Sequence, residues 1–300
     1  MKLPDLFYLQ NILKYGSLVK FSHTLFAMPF AITGFFMAIR AGYPFQWKIL
    51  LLVLLCMVFA RNAAMAFNRW ADRLIDASNQ RTKNREIPSG VISSRHAITF
   101  TLINSFFFIV TTWFINFICF VLSPVALLVI LGYSYTKRWG AWCHFVLGLG
   151  LSLAPVGAYL AVAGKFDILP VVLSFLVLTW VSGFDIIYAL QDEAFDRISG
   201  LYSIPSVTGI QSAINISAIL HFITIVLTVA TGMIGRFGIF YFIGGFIFCI
   251  LLVYQHLIIK PHDISKVNLA FFTLNGIASV LFAIFAVLDI FFAQFVTLLN

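Results

Sequence analysis

Charged residues are scarce in this chain: Asp, Glu, Lys and Arg make up 10% of its 300 residues, whereas hydrophobic residues make up 61%. A soluble domain carries about 25% charged residues, so this composition excludes a soluble globular protein and predicts a polytopic membrane protein. Acidic residues are the scarcer class, 11 against 19 basic ones, and the net charge is +8. Because the charges occupy short loops between apolar runs, they predict orientation in the lipid bilayer and phosphate binding, with no nucleic acid as partner.

Cysteine is also scarce, and the four residues are isolated within apolar segments: Cys56, Cys119, Cys143 and Cys249. Their spacing fits neither a zinc site nor a disulfide, so they are predicted to be buried free thiols. The first twenty residues lack a long apolar core that ends in a cleavage site. Neither a removable signal peptide nor a transit peptide is therefore expected.

Nine apolar runs are each long enough to cross a bilayer as a helix. They lie near residues 18–39, 47–67, 95–114, 116–135, 142–163, 167–187, 212–232, 238–258 and 270–295. The third and fourth runs are joined by almost nothing, around Ile115 and Asn116. No linker or change of composition divides the chain. The sequence therefore predicts an all-α, polytopic membrane helix bundle of nine transmembrane helices in a single domain, residues 1–300.

Two polar stretches interrupt the apolar pattern. In the first, Asn68, Asp72 and Asp76 repeat every four residues, which puts them on one face of a helix. The second presents four residues on one predicted helical face: Asp185, Tyr188, Asp192 and Asp196. Such hard oxygen ligands suit Mg²⁺, which proteins usually share with substrate phosphates. Without metal and substrate, carboxylates one turn apart are expected to repel one another.

The two stretches are 120 residues apart, since Asp72 precedes Asp192 by the same distance as Asp76 precedes Asp196. This offset predicts two diverged halves of four helices in the same orientation, with a ninth helix that closes the bundle. Lys and Arg concentrate in the loops on the side of the two stretches. The positive-inside rule therefore puts both at the cytoplasmic face, and a bacterial inner membrane is the expected location.

The two stretches resemble the aspartate-rich motifs of the UbiA-type intramembrane prenyltransferases, and the resemblance covers nearly the whole chain. It implies an allylic polyprenyl diphosphate, whose diphosphate leaves while a second substrate captures the allylic cation. It implies Mg²⁺ bound at Asn68, Asp72, Asp76, Asp192 and Asp196. It also implies catalytic basic contacts to the diphosphate at Arg73 and Lys137, and a loop from Arg81 to Arg85 that covers the site. Glu86 departs from the family, because many members carry Pro there.

The acceptor site is expected deeper in the bilayer than the two motifs. Arg61 and Asp185 each precede the first metal ligand of their own helix by seven residues, or about 10 Å. Arg61 is predicted to bind an aromatic carboxylate, or alternatively to form a structural pair with another buried polar group. Asp185 is predicted to orient or deprotonate a phenol. The remaining substrate contacts are expected at Arg85, Tyr135, Tyr188 and Arg197.

The segment from Phe21 to Phe30 and the pattern Asp185-x-x-Tyr188-x-x-x-Asp192 most resemble the 4-hydroxybenzoate polyprenyltransferase branch. This branch implies an aromatic acid acceptor and quinone biosynthesis. A branch that prenylates naphthoate-type acceptors in menaquinone synthesis is the alternative, because both acceptors are aromatic acids. From a different class, a membrane transporter would carry polar or helix-breaking residues near mid-span in both halves. The acids here lie instead at the ends of apolar runs.

Several other polar residues are expected to make no substrate contact. Four are predicted to be topology determinants rather than ligands: Arg69, Arg81, Lys83 and Arg138. His23 and His144 are predicted to be hydrogen-bonded interior histidines, and Glu193 is predicted to be solvated because it lies off the aspartate face.

Overall fold

The computed structural model describes residues 26–299 together with Gly16 and Leu18, with side chains as far as Phe292. This part of the chain is helical and contains no β-strand. Its α-helices are α1 (Met28–Arg40), α2 (Trp47–Ala71), α3 (Arg73–Ser78), α4 (Ser94–Trp113), α5 (Phe117–Thr136), α6 (Cys143–Ala163), α7 (Ile168–Ala189), α8 (Glu193–Ile198), α9 (Ile204–Thr208), α10 (Ile210–Ile234), α11 (Ile239–Ile258) and α12 (Asn275–Leu299). A 3₁₀ turn (Leu190–Asp192) follows α7, and a π-helical turn (Leu269–Leu274) precedes α12.

Eight helices of the described chain are long and apolar enough to cross a membrane. They are α2, α4, α5, α6, α7 with its continuation to Ile198, α10, α11 and α12 with the preceding π-helical turn. The remaining predicted span, the first one, corresponds to α1, of which the thirteen residues from Met28 to Arg40 are described. The predicted all-α, polytopic bundle is confirmed. The beginning of the first predicted span, with His23, lies outside the described residues.

Asn116 separates the two helices that the sequence joins most closely. α4 ends at Trp113, and the Asn116 side chain caps α5 by accepting a hydrogen bond from the Cys119 backbone N–H at 2.9 Å. The amide of Asn116 also donates to the Leu160 carbonyl oxygen at 2.8 Å. The Asn116 side chain therefore caps the start of α5 and fixes this helix to the end of α6. A short connection between α4 and α5 is then sufficient.

The buried core lies around α7, which packs between α6 and α10. Trp180 of α7 is fully buried, and the rings of Phe30, Phe184 and Phe248 lie 5.0–5.6 Å from it, centroid to centroid. α1 packs on both α6 and α12, while α11 packs on α12. The helices with the densest aromatic packing are therefore α1, α7, α11 and α12.

Asn275 stabilises the π-helical turn that precedes α12. Its Nδ2 donates to the carbonyl oxygens of Ala270 at 3.0 Å and Phe271 at 3.2 Å, and its Oδ1 accepts from Trp180 Nε1 at 3.0 Å and Gln255 Nε2 at 2.8 Å. A π-helical turn shifts the helix register, so its carbonyls need partners outside the ordinary ladder. Asn275 supplies that partner and joins the turn to the core.

Both aspartate motifs interrupt the helix that carries them, although their predicted residues still line one cavity. α2 ends at Ala71, and Asp72 has φ −91° and ψ 4° before α3 begins. Arg138 Nη2 donates to the Ala71 carbonyl oxygen at 2.8 Å, which satisfies an acceptor that the ended helix leaves open. Asp192 has φ −106° and ψ 3° at the matching position, between the 3₁₀ turn and α8. The 120-residue repeat is therefore visible in the backbone as well.

Candidate active site

A cavity of about 620 Å³ lies between α2, α5, α6 and α7. Both aspartate motifs line one end, and Ile115 and Phe166, which lie in loops, line the other. Along α2 the wall runs from Asp72 to Val53, nineteen residues or roughly 28 Å at 1.5 Å per residue. This length is close to the thickness of a bilayer's hydrocarbon core, about 30 Å. The cavity thus joins a charged end to an apolar channel as long as the membrane is thick.

The first motif is held by basic side chains from outside its own helix. Asp72 is buried and accepts from Lys137 Nζ and Arg138 Nη2, each at 2.9 Å. Asp76 is also buried, and its Oδ1 accepts from Arg85 Nη1 at 2.7 Å. Asn68 Nδ2 lies 3.3 Å from Asp72 Oδ2, which joins the first residue of the motif to the second.

The second motif is bound by the loop that follows the first. Arg81 engages Asp192 with two nitrogens, Nε to Oδ1 at 2.9 Å and Nη2 to Oδ2, and Asn79 Nδ2 donates to Oδ1 at 3.1 Å. Arg81 Nη1 also donates to the Tyr188 hydroxyl at 3.1 Å. Asp196 Oδ2 accepts from Ser203 Oγ at 3.0 Å. Residues of the first motif's loop therefore hold the second motif in place.

Arg81 remains a cation at this position. Burial lowers the pKa of Arg81, but the hydrogen bonds and the charge of Asp192 outweigh it, so the pKa lies above its usual value. Besides the role in topology that was predicted for them, Arg81 and Arg138 each bind an aspartate of the two motifs.

Basic side chains compensate the charges of the carboxylates, so the expected repulsion between the carboxylates is not seen. Asp72, Asp76 and Asp192 each have a Lys or Arg partner. Among the described residues no three His, Cys, Asp or Glu side chains converge as a ready-made metal cluster. The donor set nevertheless suits Mg²⁺, which needs only one or two carboxylates besides waters and substrate phosphates. Asp76 Oδ2 is buried in the cavity wall and has no hydrogen-bond partner within the described chain, so a donor oxygen is open.

Two arginines of α2 line the cavity with open nitrogens. The buried Nε and Nη2 atoms of Arg61, and the Nε and Nη1 atoms of Arg69, find no hydrogen-bond partner among the residues that the structure describes. Eight residues separate the two, so they lie about 12 Å apart along the helix. Arg69, predicted to be a topology determinant, is only 4% exposed and lies in the cavity wall. A buried guanidinium with open N–H groups is a site for an anion.

Deeper than the second motif, Asp185 lines the cavity and lies against a buried histidine. The distance from Asp185 Oδ2 to His144 Nδ1 is 2.7 Å, and the other ring nitrogen of His144 is 3.2 Å from the Ile204 backbone nitrogen. The prediction of a hydrogen-bonded interior histidine holds for His144, although its partner belongs to the site. Tyr188, which also lines the cavity, stacks on Phe271 with the ring centroids 4.1 Å apart.

Three predicted site residues lie outside the cavity wall. Arg73 Nη1 donates to the Trp70 carbonyl oxygen at 2.8 Å, and its guanidinium lies over the Trp70 ring. Tyr135 packs against aromatic neighbours on the outside of α5. The Arg197 side chain is 61% exposed and forms an ion pair with Glu193. The prediction that Glu193 is solvated is therefore wrong.

Helical periodicity points to one further cavity residue that was not among the predicted ones. Tyr133 lines the cavity together with Lys137, which comes four residues later and directly follows α5, so the two share a face. Tyr135, two residues before Lys137, points away from that face. The asparagine that binds the second motif, Asn79, has no comparable signal, because its partner Asp192 is 113 residues distant.

This fold and site define an integral membrane protein whose apolar cavity ends in paired acids and bases, a form suited to a substrate with a charged head and a long apolar tail. Residues 27–277 match the UbiA prenyltransferase family. The chain belongs to the UbiA prenyltransferase family, and it is a prenyltransferase.

Relatives and solved structures agree with this assignment. The chain is 29% identical over 269 residues to a 4-hydroxybenzoate octaprenyltransferase of Aliivibrio fischeri strain MJ11, covering 89% of this chain and 90% of the relative. It is similar to the apo structure of a UbiA homolog from Aeropyrum pernix K1, with a TM-score of 0.77, 26% identity, and coverage of 91% and 98% of the two chains. A UbiA homolog from Archaeoglobus fulgidus, solved bound to GPP and Mg²⁺, shares the fold with a TM-score of 0.68 and 22% identity over 92% of this chain and 99% of its own.

Proposed function

We propose that this protein transfers a polyprenyl group from an allylic prenyl diphosphate to an aromatic acid of the 4-hydroxybenzoate type, in quinone biosynthesis. The observation that carries the proposal is the pair of arginines on α2, Arg61 and Arg69, each with open nitrogens in the cavity wall. The reaction needs two anion sites at different depths, one for a diphosphate and one for a carboxylate. The names of the relatives support the acceptor, since they are 4-hydroxybenzoate octaprenyltransferases.

The diphosphate binds at the charged end of the cavity. Mg²⁺ bound there would neutralise the charge that develops on the leaving diphosphate. The residues that would hold it are Asn68, Asp72, Asp76, Asp192 and Asp196. The bases that now pair with these acids then have phosphate oxygens within reach, so Lys137, Arg138, Arg81 and Arg85 exchange one anionic partner for another. Arg69 provides the innermost contact of this layer.

The acceptor binds below the diphosphate, between Arg61 and Asp185. Arg61 binds the carboxylate with its open nitrogens, and Asp185 orients the phenol. As the allylic C–O bond breaks, its electron pair leaves with the diphosphate oxygen, and a ring carbon donates the pair that forms the new C–C bond. The proton that this ring carbon loses passes to Asp185. The prenyl tail extends along the apolar part of the cavity toward Ile115 and Phe166.

A naphthoate-type acceptor is the second candidate, and the wall beside Arg61 supports it. Ala60 and Ala64 flank Arg61 on the cavity side of α2, and their small side chains leave room for a second fused ring. Purified protein with Mg²⁺, a prenyl diphosphate and either 4-hydroxybenzoate or a dihydroxynaphthoate distinguishes the two acceptors by product mass. If neither is prenylated while prenyl diphosphate is consumed, the proposed acceptor class is wrong.

Two matched variants test the two anion sites. Arg61→Ala is expected to weaken aromatic-acid binding by about 1.5–3 kcal/mol, or roughly 10–150-fold, and to leave prenyl diphosphate binding nearly unchanged. Arg69→Ala is expected to do the reverse. Arg61→Lys restores part of the acceptor binding, because a point charge lacks the planar fork of a guanidinium. Separate titrations of the two substrates measure both effects, and equal losses in both titrations would contradict the assignment.

The active site is proposed to face the cytoplasm. The loop with Arg81 and the segment with Arg197 both follow apolar helices at the same end of the cavity, and basic residues concentrate there. Single cysteines in the two segments are expected to react with a membrane-impermeant thiol reagent only after the cytoplasmic face is made accessible. Labelling from the outside in intact cells would reverse the orientation.

A further inference from the structure

We infer that His144 is a positioning residue that fixes Asp185 for the acceptor and ties it to the segment after the second motif. This inference rests on the proposed function, because it assumes that Asp185 acts on the acceptor. His144 was expected from the sequence to be an interior histidine without a part in the site. It is 2% exposed and lies at the start of α6, where its ring bridges two elements that are distant in sequence.

The two contacts of the ring determine which nitrogen carries the proton. The Ile204 backbone N–H is a donor and cannot accept, so His144 Nε2 must be the acceptor in that hydrogen bond, at 3.2 Å. Nδ1 then carries the proton and donates to Asp185 Oδ2 at 2.7 Å. The backbone of Ile204 therefore selects the tautomer that holds the Asp185 carboxylate, as a neighbouring group commonly does for functional histidines.

Two hydrogen bonds and the peptide bond between Ser203 and Ile204 connect His144 to the second motif. Ile204 begins α9, and the preceding residue, Ser203, caps this helix by accepting from the Ser206 backbone N–H. The Ser203 hydroxyl also donates to Asp196 Oδ2 at 3.0 Å. His144 thus stands between Asp196, the last acid of the second motif, and Asp185, the deeper acid.

The position of the histidine itself is fixed by its backbone. The Ser182 hydroxyl lies 3.2 Å from the His144 carbonyl oxygen and 2.7 Å from the Leu178 carbonyl oxygen of its own helix. A side chain at Gly148, one turn after His144, would overlap Ser182. α6 and α7 are therefore in close contact at this level. The imidazole ring of His144 is held at both nitrogens, and the backbone of the same residue packs closely against α7. Asp185 therefore has little freedom to rotate away from the acceptor.

Two conservative variants separate the two contacts of the ring. The amide nitrogen of Asn lies near the position of Nδ1, so His144→Asn keeps a donor for Asp185 and loses the acceptor for Ile204. The longer Gln reaches the position of Nε2, so His144→Gln keeps the acceptor for Ile204 and loses the donor to Asp185. If the ring positions Asp185, kcat falls about 10–100-fold in His144→Gln and only a few-fold in His144→Asn. The KM for prenyl diphosphate is expected to stay within about twofold in both.

A double variant and a control distinguish positioning from a general loss of structure. Because His144 is inferred to act through Asp185, the double variant Asp185→Asn with His144→Gln is expected to be no slower than Asp185→Asn alone. His221→Gln is the control, since this buried histidine pairs with His256 outside the cavity wall and its loss should leave kcat unchanged.

Three results would overturn the inference: wild-type kcat in His144→Gln, equal losses of kcat in the Asn and Gln variants, or additive losses in the double variant. The failure of the proposed function is recognised separately. If the unaltered protein yields no prenylated aromatic acid, the function itself is wrong, whatever the variants do. If it yields that product and His144→Gln matches it, only the inference about His144 is wrong.

Discussion

The helices on two sides of the bundle differ in how much of their surface is buried. Three helices of the first half, α2, α4 and α5, form what we call the cavity side, although α6 and one face of α7 complete the cavity wall. Between 17% and 28% of the residues in the apolar stretches of these three helices are buried within the protein. On the packed side, formed by α7, α10, α11 and α12, the share is between 33% and 61%. The packed side therefore supplies contacts that stabilise the fold, while the cavity side leaves room for a substrate. The two halves of the repeat each carry an aspartate motif, but they differ in how tightly their helices pack.

The two motifs differ in the same direction. The side chains of Asp72 and Asp76 on the cavity side are each 4% exposed and lie against basic residues from the motif's own loop and from the turn after α5. Asp192, at the end of α7, has a side chain that is 18% exposed, and it depends on Arg81 from the first motif's loop. The first motif is thus part of a buried charge network, whereas the second is joined to it by one loop.

The largest effect is expected from removing one charge at each motif. Asp72→Asn and Asp192→Asn should each lower turnover by on the order of 100-fold or more, because both carboxylates are proposed to hold the Mg²⁺ that neutralises the leaving diphosphate. They should differ in stability. Asp72→Asn leaves Lys137 and Arg138 without their anion, at about 1–3 kcal/mol of unfolding free energy, whereas Asp192→Asn frees a loop arginine at less than about 1 kcal/mol.

Turnover measured by product formation, together with unfolding in mixed SDS micelles, tests both parts of this expectation. Arg81→Gln is the matched control, since it removes the partner of Asp192 and keeps the carboxylate. Equal losses of unfolding free energy in the two Asp→Asn variants would mean that both motifs stabilise the fold to the same extent.

A second pair of variants changes the side-chain volume on each side and compares the effects on stability. Phe282 of α12 is 1% exposed and touches the rings of Phe30, Phe248 and Tyr241, so Phe282→Ala should destabilise the protein by about 3–5 kcal/mol. Ala64→Leu adds volume on the cavity side, where the added atoms enter open space. Its unfolding free energy should change by less than about 1 kcal/mol, while its KM for prenyl diphosphate or the acceptor rises.

The same unfolding and steady-state measurements apply to both variants. A stability loss in Ala64→Leu as large as that in Phe282→Ala would show that the cavity side is packed as tightly as the other side. Unchanged kinetics in Ala64→Leu would show that substrate does not reach this part of the cavity.

The helices and both motifs were predictable because local signals define them. Apolar runs of about twenty residues give the spans, and the abrupt appearance of Asp and Arg marks where each span ends. The four-residue spacing brings the motif residues to the cavity, although Asp72 and Asp192 break the helix that the spacing assumes. That break depends on Arg138, which lies 67 residues beyond the Ala71 carbonyl it binds, so no local rule gives it.

The roles of individual bases were less predictable for the same reason. Arg73 follows the central Asp in sequence, but the next position in a helix is rotated by about 100°, and its side chain lies over Trp70. Arg69 and Arg138 look like ordinary interfacial charges in the sequence, and only the packing of α2 and α5 brings them to the cavity wall or to Asp72. Phe271 reaches the cavity through the π-helical turn, whose shift of register has no signal in the apolar pattern.

The smallest expected effect concerns two glycines that differ only in what faces them. A Cβ at Gly34 of α1 would overlap the backbone of Pro155 in α6, whereas a Cβ at Gly157 of α6, in the cavity wall, would meet nothing within 4 Å. Small residues allow helices in a membrane to approach closely, so Gly34→Ala should force the two helices apart and destabilise the protein by about 1–3 kcal/mol. Gly157→Ala should be neutral or slightly stabilising, by up to about 1 kcal/mol, because Ala is the better helix former. Thermal midpoints in one detergent compare the two directly, and a loss in Gly157→Ala that equals the loss in Gly34→Ala would mean that the cavity closes around α6 when it holds no substrate.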